Sequence, residues 1–71
     1  MATLLAETSQ VHDMALAMVS HLKSREDSPE KTAHLFRMIC AVERAAAGVL
    51  DEAGAEQAMK DIEAAALFCQ T

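Results

Sequence analysis

A single proline, Pro29, interrupts a chain that otherwise reads as helix from end to end. Strong helix formers (Ala, Leu, Glu, Lys, Arg, Gln and Met) fill 43 of the 71 positions, and only two glycines accompany the proline. Ser28-Pro29-Glu30 is the clearest punctuation. It offers an N-cap hydroxyl, a proline suited to the first helical position, and an acid in the first turn. Lys23 and Arg25 lie just before it, where cations favour a helix C-terminus. The spacing therefore predicts helix 1 over about 3–24 and a second helix starting at Pro29. Gly54 is the natural residue to end that second helix, at about residue 53, and a third runs over about 55–68. Gly48 then falls inside helix 2, where close approach of another helix would explain it. All 71 residues read as one all-α domain.

At 100° per residue, helix 1 has an apolar seam of Leu4, Thr8, Val11, Ala15, Met18 and Leu22. Helix 2 has a matching seam of Thr32, Leu35, Ile39, Val42, Ala46, Val49 and Ala53. Both follow the 3-4 spacing that packs helices side by side. The short link predicts an antiparallel helical hairpin, with helix 3 as a shorter third element. Helix 3 offers a narrow stripe of Met59, Ile62, Ala66 and Cys69, with Leu67 and Phe68 pointing away from it.

The apolar arcs of helices 1 and 2 are wider than one neighbour requires. Helix 1 continues past its seam through Leu5, Leu16 and Val19, and helix 2 through Phe36, Cys40, Ala47 and Leu50. Two polar residues fall inside those arcs, His12 and Glu43, at similar height in the hairpin. These nine residues form the candidate interface, with His12 and Glu43 expected to hydrogen-bond and fix register. The apolar supply is itself limited: 15 of the 37 hydrophobic residues are alanine and 20 are large. Dimerisation, completing a bundle of hairpins, is the expected cover for the second face.

Charge narrows the function further. The net charge is −5, and the four cations Lys23, Arg25, Lys31 and Arg37 are diluted by Glu26, Asp27 and Glu30. A nucleic-acid binder needs a basic stripe to displace counterions, so no nucleic-acid partner is expected. The acids Glu52, Glu56, Asp61 and Glu63 read as a solvated face. No apolar run approaches the ~20 residues of a membrane span, and no basic leader precedes an apolar core. A cytoplasmic protein with no membrane association is expected.

Cys40 and Cys69 lack zinc-ligand spacing and read as buried thiols. His21 and His34 fall toward the polar arcs and read as surface histidines. No serine or threonine has a base and an oxyanion loop to support it, so no enzyme and no cofactor or metal is expected.

The stretch from Leu4 to Ala53 resembles small helical proteins of proteobacteria and their phages. Lys31-Thr32-Ala33-His34-Leu35-Phe36 through Val49-Leu50-Asp51-Glu52-Ala53 carries the likeness. Hairpins of similar size include type III secretion co-chaperones and phage-encoded antagonists of host regulators. The resemblance implies a protein-binding role and transfers no functional residue. The expected function is a small acidic interaction module that regulates or inhibits a protein partner through a helix face. Two alternatives stand beside it: a structural subunit or co-chaperone with an obligate partner, and a metal or catalytic protein using His12 and Glu43.

Overall fold

The computed structural model of the chain describes residues 2–70, with side chains described from Thr8 onward. Three helices account for nearly all of it: α1 (Ala2–Lys23), α2 (Pro29–Ala47) and α3 (Glu52–Gln70). Each packs against both of the others. The result is a rod of 40 × 19 × 17 Å, little longer than the roughly 33 Å that 22 helical residues span.

The first link forms as its sequence suggests. Ser28 has extended backbone angles and its hydroxyl accepts from the Lys31 N–H at 3.1 Å, with Pro29 opening α2. Lys31 supplies what the sequence did not reveal. It is the one buried charged residue among the described residues, 8% exposed. Its ammonium donates to the Arg25 carbonyl and to Asp27 Oδ1, each at 2.9 Å. The aliphatic stem is buried while the head answers a carbonyl of the link, so one side chain ties the end of α1 to the start of α2.

The second link departs from expectation. Helix α2 ends at Ala47, not near residue 53, and Gly48 is its cap rather than an interior residue. Gly48 takes the left-handed conformation (φ 73°, ψ 23°) that costs residues with a Cβ about 1–2 kcal/mol. Its N–H donates to the Ala45 carbonyl at 3.2 Å, and the Val49 N–H to the Arg44 carbonyl at 3.2 Å. This pair of bonds is the Schellman closure, which satisfies carbonyls left open at a helix end. Asp51 then caps α3: its carboxylate accepts from the Gly54 N–H at 2.7 Å and its carbonyl from the Ala55 N–H at 2.8 Å. Gly54 therefore lies in the first turn of α3. A Cβ there would meet Asp51 Oδ1 at 3.0 Å, so the glycine makes room for the cap.

The core consists of Val11, Ala15 and Leu22 from α1, Met38, Ala41 and Ala45 from α2, and Ala55, Ala58, Ile62 and Ala65 from α3. Leu50, from the second link, completes it. The α1 seam agrees with its expected spacing at Val11, Ala15, Met18 and Leu22, while Leu4 lies outside the residues whose side chains are described. On α2 the packed face is displaced by one residue: Met38, Ala41 and Ala45 are inside, while Ile39 and Ala46 are exposed and Val42 is half-buried. Thr32, Val49 and Ala53, also expected in that seam, are exposed as well.

Two tests follow. Gly48→Ala should lower stability by about 1 kcal/mol in urea unfolding, from left-handed strain alone, because a Cβ there meets nothing within 4 Å. An interior helical glycine would give the opposite sign. Lys31→Met keeps the buried stem but strands the Arg25 carbonyl, and should cost about 1–3 kcal/mol.

The ammonium's hydrogen bond, and then its charge, also hold the Asp27 carboxyl below its ordinary value of 3.8. That contribution is present above pH 3.8 and is lost as pH falls through the lower folded value. In Asp27→Asn this segment of the acid-unfolding profile should disappear.

Candidate interaction surfaces

The nine candidate interface residues do not share one face. On α1, Gln10 and Val11 line the cleft toward Ala55 and Met59 of α3. Helical spacing puts His12, Leu16 and Val19 at least about 120° around from Gln10, on the edge away from that cleft. Leu16 is 50% exposed there, His12 is part-buried, and Val19 packs partly against the core. Leu5 lies outside the residues whose side chains are described.

The α2 members face elsewhere. Phe36 and Cys40 line a cleft between α2 and α3, together with Leu50, Gly54, Ala58 and Asp61. Phe36 is 70% exposed at its rim. Leu50 is not a flank residue at all, since the Schellman turn takes it out of α2 and into the core. Ala47 and Glu43 are exposed, Ala47 as the last residue of α2. The one-residue displacement of the packed face is the cause: turning α2 to bury Met38 and Ala41 moves Phe36 and Cys40 toward α3 and brings Ile39 out. Ile39, 45% exposed, is one of the surface residues that sequence spacing assigned to the core.

His12 and Glu43 form no hydrogen bond with each other. The neighbour of His12 Nδ1 is Asp13 Oδ1 at 3.4 Å, a long contact between adjacent residues.

A second polar–aromatic cluster lies at the other end of the rod. The His34 ring packs on Phe68 with centroids 5.0 Å apart and planes tilted by 35°. The Arg25 guanidinium carbon lies 6.0 Å from the Phe68 centroid, at the outer limit of a cation–π contact. His34 Nδ1 is buried without a hydrogen-bond partner. Both assignments differ from the sequence reading, which placed His34 on the surface and turned Phe68 away from the apolar stripe of helix 3. The cluster docks the last turn of α3 against the first link.

Cys40 and Cys69 are free thiols, each half-buried. Among the described residues, no group of three or more His, Cys, Asp or Glu side chains is placed to hold a metal ion. No helix among them is long and apolar enough to cross a membrane. The α2–α3 cleft, at about 200 Å³, is smaller than the roughly 300–1,000 Å³ of small-molecule sites. The α1–α3 cleft beside Val11 and Met59, at about 390 Å³, and the hollow at the first link beside Phe68, at about 440 Å³, fall within that range. No protein-family model matches the sequence, and no curated protein or solved structure is similar to it.

Proposed function

We propose that the chain is a small acidic interaction module that regulates or inhibits a protein partner through a helix face and acts as a homodimer. The observation that carries this reading is the division of apolar side chains between inside and outside. Among the described residues, six of the eleven buried apolar ones are alanine, whereas Leu16, Phe36, Ile39, Val49 and Leu67 remain exposed. Scattered single hydrophobes on a surface need no explanation, but so many large ones around so thin a core favour burial against another chain.

In this reading α1 and α2 form an antiparallel hairpin, as short links between helices favour. Leu16 and Ile39 then stand at similar height on neighbouring helices, on the side away from α3. They form an edge suited to an apolar helix face of the partner. The net charge of −5 keeps the module soluble and disfavours acidic partners.

Light scattering tests the homodimer: a mass near twice 7.6 kDa is expected, and 7.6 kDa at every concentration removes that part of the reading. Affinity capture tests the partner. A stoichiometric protein retained by the wild type should be lost with Leu16→Glu/Ile39→Glu, while far-UV circular dichroism shows the variant still helical. Equal retention by both forms would exclude the Leu16–Ile39 edge as the contact.

A further inference from the structure

The second copy has to overcome a net charge of −5 on each chain, so it needs a place where opposite charges meet. The α2–α3 cleft is such a place. Arg37 and Arg44 line it, seven residues apart on α2 and therefore about 10.5 Å apart along the axis. Neither arginine has an ion-pair partner among the described residues. Asp61 of α3 lines the same cleft, its carboxylate accepting from Gln57 at 3.1 Å, and Phe36 forms the apolar rim.

The complementary surface is on the opposite side of α3. That helix buries Ala55, Ala58, Ile62 and Ala65. Around the cylinder from them runs a stripe of Glu56, Lys60, Glu63 and Leu67, spaced 4-3-4 and exposed at every position. Leu67 is 65% exposed and is the one large apolar residue on the stripe. Glu56 and Glu63 have the same seven-residue separation as Arg44 and Arg37, with Lys60 between them. The two acids of the stripe therefore match the two arginines of the cleft in sign and spacing, and Lys60 and Leu67 have an acid and an apolar rim residue to meet there.

We infer that the chain associates with itself by laying the Glu56–Leu67 stripe of one copy along the Arg37–Arg44 cleft of another. The copies meet with Glu56 toward Arg44, Glu63 toward Arg37, Lys60 toward Asp61 and Leu67 toward Phe36. This rests on the proposed association of two copies and adds the faces it uses; because these lie on opposite sides of α3, the pair is head-to-tail, with one cleft and one stripe left open, and the Leu16–Ile39 edge of each copy remains for the protein partner. Single exposed ion pairs contribute little, so the contact depends on several acting together around the Phe36–Leu67 contact.

Charge reversal tests the pairing, with mass followed by light scattering from about 10 µM to about 1 mM, a range that brackets weak association. Wild type should rise above 7.6 kDa, and should do so at lower concentration in low salt than at ~1 M, where the Debye length is about 3 Å. Arg37→Glu/Arg44→Glu and Glu56→Arg/Glu63→Arg should each stay at 7.6 kDa alone while keeping their helical circular dichroism. An equimolar mixture of the two should regain mass. The single pair Arg37→Glu with Glu63→Arg, both within helices and away from their caps, repeats the test if a double variant unfolds.

Two results overturn the inference while leaving the homodimer intact. In one, both reversals associate as well as wild type and Leu16→Glu abolishes association. In the other, the reversals abolish association and mixing fails to restore it, which excludes the α3 stripe as the occupant. A wild type at 7.6 kDa throughout overturns the inference and the homodimer together.

Discussion

The narrowness of the alanine core is the constraint from which the rest of the structure follows. Ala15, Ala41, Ala45, Ala55, Ala58 and Ala65 sit where three helices meet, and side chains this small let helix axes approach closely. Close approach leaves little interior volume. Among the described residues, Leu22, Met38 and Val11 are the largest side chains that are fully buried, and both phenylalanines stay at the margins. Large apolar residues are thereby displaced to edges and links by the same packing that holds the helices together. The exposed apolar surface is a consequence of how the core is filled.

The two links set how the helices are turned within that core. Lys31 is drawn inward because the Arg25 carbonyl and the Asp27 carboxylate wait at the link. Its position in the first turn points the Lys31–Met38–Ala45 side of α2 toward the other helices. At the far end the Gly48 turn stops α2 early and drops Leu50 into the core, where an uninterrupted helix would have kept it on a flank. Rotation and length of α2 together move Phe36 and Cys40 to the α3 side and Ile39 to the outer side. A contiguous face in the sequence pattern thus becomes two separate surfaces, and two surfaces permit two different contacts.

The number of helices, the N-cap at Ser28 and the α1 seam were legible because each rests on local chemistry. A serine before a proline, and Val11, Ala15 and Leu22 at heptad spacing, have few competing readings. The packed face of α2 was not legible. Ile39, Val42 and Ala46 make a seam as regular as Met38, Ala41 and Ala45, and the second set extends back to Lys31, which looks polar until its stem is seen inside. Gly48 was missed although its signals were present: an apolar Val49 follows it, and Asp51 with Glu52 then marks a fresh helix start. The His34–Phe68 contact joins residues 34 positions apart, so no local pattern carries it. The candidate interface inherited these errors, since its α2 half depended on a rotation the sequence left open.

Net charge and local charge lead to different conclusions about partners. A chain of −5 read as a whole disfavours its own copies at long range. At contact range, charges farther away than about one Debye length are screened and only the nearest count: two acids flank a lysine on the α3 stripe, and two arginines line the α2–α3 cleft with Asp61. Repulsion between whole molecules then becomes a source of specificity: misaligned encounters bring acid against acid, and one register brings each acid to an arginine. In the proposed contact, the acid–base–acid spacing of the α3 stripe is what separates a self-complementary face from a merely solvated acidic one.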